Sequence, residues 1–160
     1  MPIVLFRVDE RLIHGQVVVG WGGPLHADRM VVVDDELAGS PWEQELYCLG
    51  VPAEIEARFL SVHEARGNVP TWQADARRTI VLVRDVATAG RMAEGGVLKG
   101  VEVNLGGIHF APGRARILSY LHLRPDETEE LRRIEAAGAQ VAARDLPAGK
   151  RVPLSELTPG

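Results

Sequence analysis

Short runs of β-branched and other apolar residues recur along the chain, and segments with helix-start residues separate them. Alternation of this kind requires crossover connections, which make a sheet mostly parallel. The run Met30–Val33 contains no polar residue and indicates a strand covered on both faces. The predicted strands are Ile3–Val8, Arg29–Asp34, Ala57–Leu60, Thr79–Arg84 and Val101–Leu105, with shorter candidates at Arg116–Leu123 and Gln140–Arg144. The predicted fold class is therefore α/β: an open, mainly parallel β-sheet of about seven strands with helices on both faces.

Helix-boundary residues lie between the predicted strands. Asp85 is placed to cap a helix over Val86–Glu94, which the glycine pair 95–96 would end. Ser61 and Glu64 have the spacing of a capping box. Further helices are predicted at Gly15–Trp21, at Trp42–Leu49 after a Ser40 cap, and at Pro125–Ala137, whereas the proline-rich tail Pro147–Gly160 is expected at the surface.

Composition excludes several classes of protein. The 160 residues suffice for a single domain spanning 1–160, and 22 acidic residues against 18 basic ones give a net charge of −4. That charge argues against a protein that coats nucleic acid or an anionic membrane. The single cysteine, Cys48, excludes an internal disulfide and a cysteine-clustered metal site. With no signal peptide and no apolar run long enough to span a bilayer, a cytoplasmic location is expected.

The segment 7–17, RVDERLIHGQV, carries the strongest chemical signal because it follows the first predicted strand directly. Ligands of open parallel sheets bind at the carboxyl ends of strands. Arg7 and Arg11 supply positive charge and the bidentate geometry that phosphate prefers. His14 precedes a predicted helix start, where free amide groups favour an anion, and a neutral imidazole is a competent nucleophile. These residues predict attack of His14 on a phosphoryl group.

Two acidic residues in the same segment leave alternatives open. Asp9 or Glu10 could orient the imidazole of His14 or position Arg11. The plainer interpretation is a surface ion pair between Asp9 and Arg11, with His14 as an ordinary loop residue.

Two further loops follow predicted strands. After the fifth strand, Asn104, Gly106 and Gly107 could form an anion-binding nest because glycine permits close backbone approach, or they could form a plain turn. Asp34 ends the second strand and could face the site, whereas Asp35 is predicted to cap the following helix.

The segment 7–17 closely resembles the R-[IV]-D-x-R-L-I-H-G-Q-V signature of the IIB components of the mannose/fructose/sorbose family of PEP-dependent sugar phosphotransferase systems (PTS). The resemblance continues at RMVVVDDELA, residues 29–38, and at the V-N-[VL]-G-G pattern of residues 103–107. Trp21 falls where that family has a tryptophan at the end of its first helix. The likeness extends along the whole chain.

The resemblance implies a phosphocarrier with an open, mainly parallel α/β sheet. His14 would accept phosphate on Nδ1 from a phosphorylated IIA protein or domain. It would pass the phosphate to a sugar, the final acceptor, during uptake through the membrane components IIC and IID. The chain would associate peripherally with those components, and no metal, nucleotide or other cofactor is needed. Catalytic roles are predicted for His14, Arg11 and Asp9, and phosphate contacts for Arg7, Gly15, Gln16, Asn104, Gly106, Gly107 and Asp34.

Several alternatives stay open on the sequence. The chain could carry phosphate for regulation without sugar transport, or it could be a non-enzymatic domain that binds an anion. Neither the sugar nor homodimer formation follows from the residues. His109 and His122 lack motif context and are interpreted as structural or surface residues, and Cys48 has no assigned role.

Overall fold

The computed structural model describes residues 2–159. A seven-stranded sheet has the order β3-β2-β4-β1-β5-β8-β9, in which only β9 is antiparallel to its neighbour. The strands are β1 (Ile3–Val8), β2 (Arg29–Val33), β3 (Glu56–Leu60), β4 (Thr79–Val83), β5 (Glu102–Leu105), β6 (Ala115–Leu118), β7 (Leu121–Leu123), β8 (Gln140–Ala143) and β9 (Val152–Pro153). The predicted open, mainly parallel sheet is confirmed.

Helices connect the strands. They are a π helix (Gln16–Gly22), α1 (Asp35–Ala38), α2 (Pro41–Cys48), α3 (Val62–Ala74), α4 (Val86–Ala93) and α5 (Pro125–Ala136). Short 3₁₀ turns at Glu94–Gly96 and Leu154–Glu156 follow α4 and β9. None of the helices among residues 2–159 combines the length and apolar character needed to cross a bilayer.

The two faces of the sheet bury two separate apolar clusters, as the alternation of side chains along a strand requires. On one face, Phe6 and Val8 of β1 pack in the cluster that also contains residues of α3, α4 and α5. On the other face, Leu5 joins Trp21 of the π helix and Leu37 of α1. Helices therefore cover both faces, as predicted.

Most predicted helix boundaries agree with the structure. The Asp85 side chain accepts a hydrogen bond from the Thr88 amide at 2.8 Å, and Ser61 and Glu64 form the capping box. Gly95 and Gly96 follow α4 with φ values of 70° and 80°, a conformation that favours glycine. The predicted helix ends here because these residues turn the chain out of the helical path.

The cap of α1 was predicted one residue late. Asp34, and not Asp35, accepts hydrogen bonds from the amides of Glu36 and Leu37, because β2 ends at Val33 and leaves Asp34 as the extended residue before the helix. Asp35 instead accepts a hydrogen bond from the Val62 amide. Ser40 does precede α2, but its hydroxyl donates to a carboxylate oxygen of Glu43 and caps no amide.

Of the two late strand predictions, Gln140–Arg144 agrees with β8 and Arg116–Leu123 does not form a single strand. Residues 116–123 do not form one strand of the main sheet, since β6 and β7 pair with each other as a separate antiparallel hairpin. The seventh strand of the sheet comes instead from the proline-rich tail, where Val152 and Pro153 pair with β8. Leu154 and Leu157 of this tail are buried against the core, so the tail is not simply a surface segment.

A pair of glycine substitutions tests this backbone description. Gly67 lies inside α3 with no atom within 4 Å of an added Cβ, so Gly67→Ala should raise the free energy of unfolding by about 0.5–1 kcal/mol. Gly138 follows α5 with a φ of 104°, so Gly138→Ala should lower it by about 1 kcal/mol or more. Urea unfolding measures both, and equal effects of the two substitutions would contradict the assignment.

Candidate active site

The loop after β1, residues 9–15 (the β1 loop), lies at the centre of the sheet's carboxyl edge. β1 is flanked by β4 and β5. The Asp9 amide donates to the Val83 carbonyl at 2.9 Å, and the Glu10 amide donates to the Gly107 carbonyl at 2.9 Å. Both neighbouring strands therefore hold the start of the loop, at the edge where ligands of such sheets bind.

The Asp9 carboxylate collects most of the hydrogen bonds in the loop. It accepts from the Arg11 amide at 3.0 Å, from Arg11 Nε and Nη2 at 3.1 Å, from Arg7 Nη2 at 3.2 Å and from the Gly107 amide at 3.2 Å. Burial alone would raise the pKa of Asp9, but the bonds from Arg11, the charge of Arg7 and the Gly107 amide outweigh it and lower the pKa. Asp9 is therefore a buried carboxylate that stays ionised.

Arg7 lies fully buried below Asp9. Its Nη1 donates to Asn104 Oδ1 at 2.6 Å and to the Arg144 carbonyl at 2.9 Å. Its Nε and Nη2 donate to Asp9, and Nη2 also reaches the Asp145 carbonyl at 3.2 Å. All five N–H groups of the guanidinium thus have protein acceptors. The prediction of a direct phosphate contact does not fit this arrangement, because Arg7 has neither a free donor nor exposed surface.

Asn104 near the end of β5 and the two glycines that follow the strand, Gly106 and Gly107, shape the space around Arg7. A Cβ at Gly106 would lie 2.3 Å from Arg7 Cζ, so only glycine at this position leaves room for the Arg7 guanidinium. Asn104 and Gly106 are both buried. The predicted anion nest at Asn104, Gly106 and Gly107 is therefore filled by the protein's own cation, and these residues support Arg7 and Asp9 instead of facing a phosphate.

Sequence reasoning missed the contribution of residues 144–145, which follow β8. The Asp145 carbonyl accepts from Trp21 Nε1 at 3.0 Å, from Gln16 Nε2 at 3.2 Å and from Arg7. Gln16 Nε2 also donates to Asp145 Oδ1 at 2.8 Å, so the side chain predicted to bind phosphate anchors the π helix instead. The general rule that strand ends form the site could have indicated this segment, since the end of β8 was predicted.

The His14 imidazole packs against the β1 loop itself. Its Nδ1 lies 2.9 Å from the Leu12 carbonyl, so Nδ1 carries the proton and donates it there. Leu12 is buried with a φ of 54°, and this strained left-handed backbone is part of the local loop geometry. Nε2 therefore carries the lone pair in this ring orientation. It lies 3.9 Å from Asp9 Oδ2 and has no hydrogen-bond partner among residues 2–159.

The environment of His14 favours its neutral form. Burial lowers the pKa below the ordinary 6.5, the Leu12 carbonyl and Asp9 act in the opposite direction, and Arg11 and Arg7 lower it again. The net lowering favours a ring with one unprotonated nitrogen at neutral pH. In the present orientation that nitrogen, Nε2, is buried, so the ring must turn before it can act as a nucleophile.

Arg11 and Gly15 of the β1 loop are open to solvent. The Arg11 side chain is 36 % exposed although Asp9 holds two of its nitrogen atoms, which fixes the guanidinium in place. Gly15 is exposed, and a Cβ there would meet no atom within 4 Å. Space for an incoming group therefore exists beside the start of the π helix.

The remaining predicted residues lie at the margins. Asp34 caps α1 and accepts from Arg84 Nε at 3.0 Å, so both oxygens of its carboxylate have protein partners, and the predicted phosphate contact stays a prediction. Glu10 ties the β1 loop to the next loop by accepting from the His109 amide and from Arg114 Nη1. His109 itself is exposed, and His122 Nδ1 donates to the Ile108 carbonyl at 3.1 Å.

No cluster of His, Cys, Asp and Glu suited to a metal ion occurs within residues 2–159.

The close packing of Gly106 against Arg7, which we call the Arg7 cradle, can be tested by matched glycine substitutions. Gly106→Ala places a methyl group in the space that the Arg7 guanidinium occupies and should lower the free energy of unfolding by about 2–4 kcal/mol. Gly107→Ala places its Cβ 3.1 Å from the end of the Arg11 side chain, which can yield, and should cost about 1 kcal/mol or less. Thermal and urea unfolding compare the two; a Gly106→Ala variant as stable as Gly107→Ala would refute the cradle.

The protonation state of His14 is measurable by NMR. The imidazole should titrate with a midpoint below 6.5. Because the pKa is lower in the folded chain than in the unfolded chain, the stability that His14 contributes is complete above pH 6.5 and is lost as the pH falls through the folded value. A His14 midpoint at or above 6.5 would contradict the geometry.

Comparison with known proteins identifies the family of the chain. Residues 3–159 match the family described as PTS system sorbose subfamily IIB component. The chain is 34 % identical over 153 residues to the N-acetylgalactosamine-specific phosphotransferase enzyme IIB component 1 of Escherichia coli K12, covering 93 % of this chain and 94 % of that protein. It is 27 % identical to the mannose-specific EIIAB component of the same organism, covering 98 % of this chain and 48 % of that longer protein.

Solved structures show the same fold. The crystal structure of an N-acetylgalactosamine IIB component from Streptococcus pyogenes matches with a TM-score of 0.85 and 26 % identity, covering 99 % of this chain and 98 % of the other. Fold, sequence and family match agree along almost the whole chain. The chain therefore belongs to the sorbose subfamily of PTS IIB components, a family of sugar phosphotransferase components.

Proposed function

We propose that this chain is a phosphocarrier in which His14 accepts a phosphoryl group from a phosphorylated IIA protein or domain. The carrier then passes the group to a sugar during uptake through the membrane components IIC and IID. The observation that carries the proposal is the placement of His14 and Arg11 around one buried carboxylate: Asp9 fixes the partly exposed Arg11 and lies 3.9 Å from His14 Nε2. A nucleophile and a positioned cation are what phosphoryl transfer requires.

In the first transfer step one P–N bond forms and another breaks. The lone pair of the His14 imidazole attacks phosphorus, the P–N bond of the donor phosphohistidine breaks, and its electron pair returns to the donor imidazole. Arg11 stabilises the charge on the equatorial oxygens, and the amide groups at Gly15 and the start of the π helix add neutral donors. Asp9 and the buried Arg7 hold Arg11 and do not touch the phosphate. In the second step a sugar hydroxyl oxygen attacks the phosphorus, the P–N bond to His14 breaks, and the freed ring nitrogen takes up the hydroxyl proton.

The acceptor nitrogen of the proposal is Nδ1. In the present orientation Nδ1–H donates to the Leu12 carbonyl, so phosphorylation there requires that the ring turn, break this bond and move its proton to Nε2. The 3.9 Å separation between Nε2 and Asp9 Oδ2 supports the proton shift that precedes the turn, since in the present orientation the buried carboxylate would stabilise an N–H at Nε2.

The partners follow from the family. One relative carries the name EIIAB and is twice as long as the region matched here, which supports a IIA protein or domain as donor. The names of the relatives include N-acetylgalactosamine, mannose, fructose and sorbose. A hexose or N-acetylhexosamine is the proposed final acceptor. The carrier would work in the cytoplasm and meet the membrane components at the membrane surface.

Phosphate labelling tests the acceptor residue. Incubation with a phosphorylated IIA partner should give one acid-labile, base-stable phosphate per chain, and His14→Ala should abolish it. His63→Ala is the matched control, because His63 is exposed at the start of α3 and should label normally. Undiminished labelling of His14→Ala would contradict the proposal. Two-dimensional NMR of the labelled chain distinguishes phosphate on Nδ1 from phosphate on Nε2.

Substitution of Arg11 tests its role in the transfer. Arg11→Ala should slow phosphorylation by a factor of about 10²–10³, because the developing charge loses its positioned cation. Arg11→Lys keeps the charge but loses the two-nitrogen contact with Asp9, so an intermediate rate is expected. Rapid-quench kinetics measure both, and a wild-type rate for Arg11→Ala would remove Arg11 from the mechanism.

A further inference from the structure

A groove of about 360 Å³ lies beside the β1 loop and is not used by the chemistry described above. Ile13 of the β1 loop forms one wall, and α2 forms the other. We call it the α2 groove; its lining residues are Ile13, Trp42, Glu43, Leu46, Tyr47 and Gly50.

The walls of the α2 groove expose apolar side chains that the fold does not need. Trp42 is 66 % exposed and Leu46 is 57 % exposed. Helix α2 buries none of its residues, so these side chains make little contribution to the core. Large apolar groups left together in water mark a binding surface, and tryptophan is enriched among the residues that dominate protein interfaces.

The chemistry of the groove indicates what it binds. Glu43 is the only charged residue in the lining, and the other five lining residues are uncharged. A phosphate or a small phosphorylated sugar would therefore gain nothing there. An apolar side chain from another protein would fill it, and a lysine or arginine beside that side chain would complement Glu43.

The position of the groove connects it to the transfer step. Ile13 precedes His14 directly, so their Cα atoms lie about 3.8 Å apart. A phosphohistidine donor must bring its phosphorus to about 3–3.5 Å from the attacking nitrogen. The donor surface around the phosphohistidine must therefore contact the β1 loop, and the edge of that contact reaches Ile13.

We propose that the α2 groove is the docking surface for the phosphorylated protein donor of His14, which inserts an apolar side chain between Ile13 and Trp42 and places a cation near Glu43. This inference rests on the proposed function, since it names where the donor binds. A small groove with two strong anchors suits a donor that must dissociate after every transfer.

The experiment compares substitutions on the two sides of α2. Trp42→Ala and Leu46→Ala remove the walls of the groove. Leu49→Ala is the matched control, because Leu49 is 84 % exposed just after the same helix but lines a different cleft, with Cys48 and Phe59. Each chain is phosphorylated with two donors: the phosphorylated IIA protein, and phosphoramidate, a small donor that needs no docking surface.

With the protein donor, Trp42→Ala and Leu46→Ala should raise the donor concentration at half-maximal rate about tenfold, with the maximal rate within twofold of wild type. Leu49→Ala should behave as wild type, and Trp42→Phe should recover most of the loss. With phosphoramidate, all the chains should label His14 at equal rates. The thermal midpoints should also agree, because Trp42 and Leu46 are exposed.

Other outcomes overturn the inference in distinguishable ways. Wild-type kinetics of Trp42→Ala with the protein donor would show that the groove does not bind the donor. A wild-type dimer that Trp42→Ala converts to a monomer in sedimentation velocity would assign the groove to a second copy of the chain. Unchanged donor kinetics with a loss of sugar phosphorylation would assign it to the membrane components. If the wild-type chain labels with neither donor, the proposed function itself fails.

Discussion

The buried ion pair between Arg7 and Asp9 is the interaction on which the site depends. Both side chains are fully buried, and removing one partner of such a pair costs about 3–5 kcal/mol because the other charge is left without compensation. The pair is stable only because every remaining donor of Arg7 also has an acceptor, supplied by Asn104 and residues 144–145. Three strand ends must therefore meet correctly before the β1 loop can adopt its shape.

From this pair the arrangement of the surface residues follows. Asp9 holds Arg11 through backbone and side chain, so a cation at the surface has a fixed position without being buried itself. The same buried charges act on His14, where burial and the two arginines prevail over Asp9 and the Leu12 carbonyl. The result is an imidazole that favours its neutral form in the same loop as a fixed cation. In the proposed phosphoryl transfer, little reorganisation would be needed because the buried residues hold the cation in advance.

Local sequence patterns predicted the fold well where the interactions are local. Unbroken apolar runs gave β1, β2 and β4 within a residue, and the caps at Ser61 and Asp85 were placed correctly because capping depends only on nearby residues. The strand predicted over residues 116–123 divides into two strands that pair outside the main sheet, and the tail predicted at the surface also adds a short strand to that sheet. Whether a short strand joins the main sheet or pairs elsewhere depends on which strand edge is free, and that is decided by contacts distant in sequence.

The sequence by itself determined the fold class, the family and the segment proposed to carry the chemistry, since these depend on periodicity and on a continuous motif. Only the tertiary structure decided which polar residues of that edge face solvent. In the folded chain Arg7 and Asn104 are buried, whereas Arg11 is partly exposed. The carbonyl groups of residues 144–145 accept hydrogen bonds from Arg7, and no side-chain pattern could indicate backbone acceptors. The tertiary structure also brought α2 beside Ile13, across about 30 residues of chain. The physical reason is that burial and hydrogen-bond satisfaction depend on every strand end at once.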